Sequence, residues 1–246
     1  MLNTMNKLRN QATWAGLLVA AVGLLSSFSD GRPAAKRETR PVGAFTEVSL
    51  GGSAHVVLKQ GSPQSVVVEA SPEALADFET VVEGPKLRLG YRRDGKGSWK
   101  MKDRGPVTVY VTAPSLTALR VGGSGKLKVE GDLKAEKMTL AVSGSGELQV
   151  PQLTAAALET AVSGSGNLTV AGTAPQHEVR ISGSGQVKAR DLKSETCQVR
   201  ISGSGNAHVY ASKSADARIS GSGGVYVAGG ARTSSSTSGS GRVHQE

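Results

Sequence analysis

Val179-Arg180-Ile181-Ser182-Gly183-Ser184-Gly185 is answered, one repeat later, by Val199-Arg200-Ile201-Ser202-Gly203-Ser204-Gly205. The closing Gly-Ser-Gly triplet of this pair recurs seven times, as Gly123-Ser124-Gly125, Gly144-Ser145-Gly146, Gly164-Ser165-Gly166, Gly183-Ser184-Gly185, Gly203-Ser204-Gly205, Gly221-Ser222-Gly223 and Gly239-Ser240-Gly241. Successive first glycines are 21, 20, 19, 20, 18 and 18 residues apart. A period near 20 marks a solenoid, in which each unit buries its apolar face only against its neighbours. A flexible Gly/Ser linker has no patterned flanks. Here Leu140-Ala141-Val142-Ser143, Thr160-Ala161-Val162-Ser163 and Ala217-Arg218-Ile219-Ser220 also lead into triplets, and apolar pairs such as Leu127 and Val129, Leu148 and Val150, Leu168 and Val170, and Val225 and Val227 follow them.

Alternation of period two sends one face of each strand to a shared interior and leaves the other polar. Stacking the units about 4.8 Å apart lets each coil hydrogen-bond to the coils above and below. The expected fold is therefore all-β, a parallel β-helix (solenoid) with coils of about 20 residues and two or three short strands per coil. The triplets are expected at tight corners, where glycine supplies backbone angles that other residues resist. Whether their serines point inward or outward is left open by the pattern.

A degenerate copy of the signature lies earlier, in Leu50-Gly51-Gly52-Ser53-Ala54-His55-Val56, so the first coils are expected from Phe45 onward. Pro72-Glu73-Ala74-Leu75-Ala76-Asp77-Phe78 predicts a helical excursion of about two turns, with Pro near its start. A second excursion is expected over 86–104. The organisation read in this way is a signal peptide at 1–29, a polar tether at 30–41 and one β-helix domain at 42–246, irregular with insertions over 42–121 and regular over 122–246.

At this point the chain resembles the putative auto-transporter adhesin, or head GIN domain, family over about 42–243. The resemblance rests on Phe45-Thr46-Glu47-Val48, on Val107-Thr108-Val109-Tyr110-Val111-Thr112-Ala113-Pro114-Ser115-Leu116 leading into Leu119-Arg120-Val121-Gly122-Gly123-Ser124-Gly125, and on the repeated triplets. It implies a β-helix and an exported bacterial protein. An adhesive role is implied by the family's name alone, since a fold does not determine a function.

Export is also read from the N-terminus. Lys7 and Arg9 precede an apolar run over 14–25, and Ser27-Phe28-Ser29 places small residues where a signal peptidase reads, with cleavage expected after Ser29. The run is shorter than the ~20 residues of a spanning helix, and retention as an uncleaved anchor is the alternative. No Cys stands near the site for lipoprotein attachment. The expected location is periplasmic or extracellular, or N-terminally anchored. Nothing after Gly241 reads as a sorting signal or membrane barrel, and Ser234-Ser235-Ser236-Thr237-Ser238 reads as a polar cap on the last coil.

Cys197 is the single cysteine, so no intramolecular disulfide is possible in a chain bound for an oxidising compartment. It holds the repeat position occupied elsewhere by Met138, Leu158, His177 and Ala215, which makes it a buried space-filler rather than a catalytic thiol. The formal net charge is +9. Without Lys7 and Arg9, 27 basic residues face 20 acidic ones, and a surplus of +7 favours anionic partners. Lys86, Arg88, Arg92, Arg93, Lys96, Lys100, Lys102 and Arg104, with Tyr91 and Trp99 among them, form the candidate anionic-ligand patch, against the plainer reading of a solvated hairpin loop. Anionic glycan, lipid headgroups or an envelope protein are the expected partners, with nucleic acid ranked last because export separates it from the chain.

Arg180, Arg200 and Arg218 fall at one outward position on successive coils, with Glu178 and Asp216 placed to offset their repulsion. Asn167, Gln186 and Asn206 share another position and suggest an amide ladder. Enzyme signals are weak: acids are scattered where a glycosidase pairs two carboxylates, and no Gly-x-Ser-x-Gly elbow or phosphate loop occurs. His208 and His244 share a repeat offset but lie two coils apart, about 9.6 Å by strand spacing, too far to hold one zinc. No metal, cofactor or catalytic residue is expected. The function read from the sequence is an exported non-enzymatic β-solenoid for binding or spacing at the cell envelope, the alternative being a polysaccharide lyase or hydrolase whose acids converge on folding.

Overall fold

In the computed structural model, which describes residues 35–91 and 105–246, the alternation of the repeats becomes alternation of burial. Val179, Ile181, Val199 and Ile201 are buried, while Arg180, Ser182, Arg200 and Ser202 face solvent. The first elements are β1 (Lys36–Thr39), β2 (Glu47–Gly52), β3 (His55–Gln60), β4 (Ser65–Ala70) and one helix, α1 (Pro72–Asp77). There follow β5 (Phe78–Glu83), β6 (Lys86–Tyr91), β7 (Thr108–Ala113), β8 (Ala118–Gly123) and β9 (Lys126–Glu130). The regular coils comprise β10 (Leu133–Gly144), β11 (Glu147–Gly164), β12 (Asn167–Thr173), β13 (Gln176–Gly183), β14 (Gln186–Ala189), β15 (Leu192–Lys193), β16 (Thr196–Gly203), β17 (Asn206–Tyr210), β18 (Ser214–Gly221), β19 (Gly224–Ala228), β20 (Arg232–Gly239) and β21 (Arg242–Gln245).

The chain is a parallel β-helix. Strands leading into the triplets form one ladder, β8, β10, β11, β13, β16, β18 and β20. Strands leaving them form a second, β9, β11, β12, β14, β17, β19 and β21. A short third ladder links Leu133 at the start of β10 with Leu153 in the middle of β11, Gly172 and Leu192. Equivalent residues stay in register, so Val121, Val142, Val162, Ile181, Ile201 and Ile219 stack as one buried column. Burying each such side chain contributes roughly 1.5–3 kcal/mol, and columns of them form the continuous core.

The corners depend on both glycines of the triplet. Gly203 has φ +121°, and a Cβ there would lie 2.5 Å from the Gly183 carbonyl oxygen of the coil below. Gly205 is buried inside the bend, where a Cβ would lie 2.5 Å from Ile181 Cγ2 and 2.6 Å from the Gly185 oxygen. Across the same corner the Ser204 N–H donates to Gly183 O at 2.9 Å and the Asn206 N–H to Gly185 O at 3.1 Å. The intervening serines, Ser184 and Ser204 among them, are exposed, so the triplet hydroxyls point outward.

The N-terminal part departs from simple winding. β2 lies between β6 and β8, and β3 lies between β7 and β9, so the first coil in the chain is second in space. The chain leaves β3, adds β4 antiparallel to β7, passes through α1, adds β5 antiparallel to β6, and lays the β6–β7 coil outside β2–β3. Two expectations change. Residues 36–39 of the expected tether are β1, paired antiparallel to β4. Residues 86–91 of the expected second excursion are β6, a ladder strand with Leu87 and Leu89 in the core. In each case a hydrogen-bonding edge left open by the neighbouring strand recruits the segment. The helix forms where expected: Ser71 caps it by accepting from the Ala74 N–H at 3.2 Å, Pro72 opens it, and extended backbone at Phe78 ends it. The leader, its cleavage point and residues 92–104 lie outside the described residues.

Gly205→Ala is expected to destabilise the chain by at least ~1–3 kcal/mol, the range for overpacking a tight site. Ser204→Ala, one residue away and exposed, should stay within ~0.5 kcal/mol. Urea unfolding of the two variants beside the parent checks the contrast.

Candidate anion-binding face

The register extends the arginine column well beyond the three positions read from the repeats. In spatial order it runs Arg88, Ser49, Arg120, Ala141, Ala161, Arg180, Arg200, Arg218 and Ser236, one outward residue per coil. Arg120 sits at the same distance before its triplet as Arg218 does and was legible by alignment. Arg88 precedes no triplet and joins the column only because β6 stacks outside β2. Two residues further along each strand runs a column of hydroxyls, Ser143, Ser163, Ser182, Ser202, Ser220 and Ser238, all exposed.

Carboxylates two residues upstream orient the arginines. Glu178 Oε1 receives Arg180 Nη2 and Arg200 Nη1, each at 2.7 Å, so one acid bridges two coils. Asp216 Oδ1 lies 3.3 Å from Arg218 Nε on its own strand, and Arg120 Nη1 lies 2.5 Å from Glu47 Oε2. Arg88 contacts Glu79 at 3.6 Å and Glu83 at 3.1 Å, both on β5. Over the β13, β16 and β18 coils, three guanidinium groups therefore face two carboxylates. These pairs are solvent-exposed, worth about 0.2–1 kcal/mol each, and an incoming anion can displace them at small cost.

An open groove of about 460 Å³ follows this part of the face. Arg180, Arg200 and Arg218 line one side, Ser163, Ser182, Ser202, Ser220 and Ser238 the other, and Ala161 and Ser236 stand at its ends. Of the candidate patch, three residues are described. Lys86 and Arg88 lie on β6, and half-buried Tyr91 ends that strand with its ring edge-on to Phe78, centroids 5.4 Å apart. Arg92, Arg93, Lys96, Trp99, Lys100, Lys102 and Arg104 lie outside the described residues.

Beyond the triplet corners, the strands of the second ladder carry an aromatic stack that the repeat pattern signals only in part. His208, Tyr226 and His244 occupy consecutive rungs, with centroid distances of 4.4 and 5.0 Å and nearly parallel planes. The shared offset of the two histidines is visible in the sequence, whereas Tyr226 between them is a different residue type and stands out only once the rungs are aligned. Asn167, Gln186 and Asn206 are aligned as expected, and Asn206 Oδ1 accepts from the Gly224 N–H at 3.0 Å.

Inside the solenoid, His177 and Cys197 meet in the column that also holds Met138, Leu158 and Ala215. Thr160 Oγ1 donates to Glu178 O at 3.2 Å, which leaves it to accept from His177 Nε2 at 3.1 Å. His177 Nδ1 is then the acceptor facing the Cys197 thiol, 3.9 Å away. Burial pushes the His177 pKa down to about 4 and the Cys197 thiol up to about 12. Both groups are neutral and sealed from solvent, a satisfied polar chain in the core with no nucleophilic thiolate.

Comparison with known proteins agrees with this architecture. The model of a family described as "Putative auto-transporter adhesin, head GIN domain" matches residues 44–231. A crystal structure of a putative adhesin from Bacteroides fragilis superposes with a TM-score of 0.78 at 20% identity, covering 86% of this chain and 97% of that one. One described as a putative lipid binding protein, from Parabacteroides distasonis, gives 0.71 at 21% identity over 88% and 98%. A putative adhesin from Parabacteroides merdae gives 0.65 at 16% identity over 88% and 97%. At these identities the likeness is one of fold. None of the curated proteins matches the chain. Among the described residues no helix is long and apolar enough to cross a membrane.

The buried imidazole makes stability pH-dependent in a defined direction. Its folded pKa of about 4 lies below the ordinary 6.5, so on acidification the unfolded chain takes up the proton first. Stability is retained above the upper value and lost as pH falls through the interval, by ~3 kcal/mol at ~1.4 kcal/mol per pKa unit. His177→Leu, which repeats the Leu158 of the preceding coil, should remove this component. Urea unfolding free energies of parent and variant, followed across that interval, should separate by this amount, and parallel pH profiles would show that His177 has no such role.

Proposed function

This chain belongs to the "Putative auto-transporter adhesin, head GIN domain" family, and on that premise we propose that it is an exported, non-catalytic β-solenoid that engages anionic partners at the cell envelope. The observation that carries the reading is the column of five arginines, Arg88, Arg120, Arg180, Arg200 and Arg218, held at one outward register position of a rigid ladder. A solenoid side face presents such a column as an extended surface, and each guanidinium offers a planar fork of donors suited to carboxylate, sulfate or phosphate. The acids nearest to it serve to orient the arginines and are themselves bound to them, an arrangement suited to recognition rather than to proton transfer.

The net positive charge supports the same reading, as does the leader sequence, whose removal after Ser29 is part of the proposal. The basic run that begins with Lys86 and Arg88 and continues in sequence through Arg92, Arg93, Lys96, Lys100, Lys102 and Arg104 is proposed to add to this surface. The lipid binding description of the Parabacteroides distasonis protein makes anionic headgroups one partner class to test.

Binding of the purified chain to immobilised dextran sulfate and to phosphatidylglycerol vesicles tests the reading. Retention on at least one of these surfaces is expected at low salt and should fall as the Debye length shrinks from ~10 Å at 0.1 M toward ~3 Å at 1 M. Absence of binding to both at low salt, or binding indifferent to salt, overturns it.

A further inference from the structure

We propose that the groove along Arg180, Arg200 and Arg218 holds an extended anionic polysaccharide lying parallel to the solenoid axis, one sugar per coil. This rests on the anionic-partner reading and narrows it to one ligand class. The first argument is translational. Each coil from β11 to β18 contributes a residue of the arginine column and, two positions on, a serine, and the register carries each such pair onto the next without slip. Neighbouring coils are ~4.8 Å apart, close to the advance of one sugar in an extended glycan, so successive sugars meet the same surroundings.

The second argument is shape and chemistry. The groove spans five coils, from Ala161 to Ser236, or ~19 Å along the axis. Its serine side is a row of small hydroxyls that both donate and accept, which suits sugar hydroxyls. Its arginine side places a charged fork at three successive steps, which suits a carboxylate or sulfate on each residue of a polymer. A membrane would require protruding aromatic or large apolar side chains for insertion, whereas the apolar residues that line this groove, Val162, Ile181, Ile201 and Ile219, are buried in its floor and do not protrude.

The third argument is energetic. Glu178 is shared between Arg180 and Arg200, so neither guanidinium has a carboxylate of its own. Exchange of such exposed pairs for ligand anions gains little per site. Affinity must therefore accumulate along the chain, with length dependence as its signature.

A series of oligogalacturonates from dimer to octamer, titrated calorimetrically into the purified chain, reads that signature. Affinity should rise with length to about a pentamer and then level off, and methyl-esterified oligomers should not bind. Arg180→Gln/Arg200→Gln/Arg218→Gln should weaken the pentamer at least about tenfold. Ser202→Tyr fills the groove without changing charge and should do the same. Ser220→Tyr provides a second steric variant, and unchanged far-ultraviolet dichroism establishes that each has folded. Length-independent affinity, or full affinity in both folded tyrosine variants, overturns the groove proposal. Binding to phosphatidylglycerol vesicles without binding to oligogalacturonates overturns it while leaving the anionic-partner reading in place, and failure of every anionic probe removes both.

Discussion

Close approach of one glycine corner to the next is the constraint on which the remaining architecture depends. A Cβ at Gly183 would lie 2.6 Å from the Gly164 oxygen, and one at Gly164 would lie 2.7 Å from the Gly144 oxygen. Only glycine lets the coils approach to ladder distance at the bend, and the positive φ of the first glycine in each triplet turns the chain there. The hydrogen bonds of both flanking strands follow from that approach. So does the in-register stacking of Val, Ile and Leu columns in the interior. A looser corner would splay the strands and open voids in a core that gains most of its stability from packed aliphatics.

The same register that aligns apolar side chains also aligns polar ones, and this generates the surface chemistry. Stacked arginines repel, and the chain offsets the cost with carboxylates placed two residues upstream, one of them bridging two coils. The result is a charged column that is oriented but only weakly neutralised. Inside, His177 and Cys197 replace aliphatics in one column without disturbing it, because Thr160 and the Glu178 carbonyl complete the hydrogen-bond chain. A constant register thus shapes both a surface able to attract anions and an interior column in which Thr160, His177 and Cys197 meet.

The period, the alternation and the triplets determined from sequence alone that the chain is a parallel β-helix, because a local pattern repeated every coil needs no tertiary information to be read. The capped helix at Pro72 and the arginine column over Arg180, Arg200 and Arg218 were legible for the same reason. The tertiary structure alone decided the winding order of the first coils, since which strand fills an open ladder edge depends on competition among distant segments. That decision turned residues 36–39 and 86–91 into strands and brought Arg88 into line with Arg218. It also set the outward direction of the triplet serines and the meeting of Thr160 with His177, because contacts between coils are fixed by register and not by neighbours in the chain.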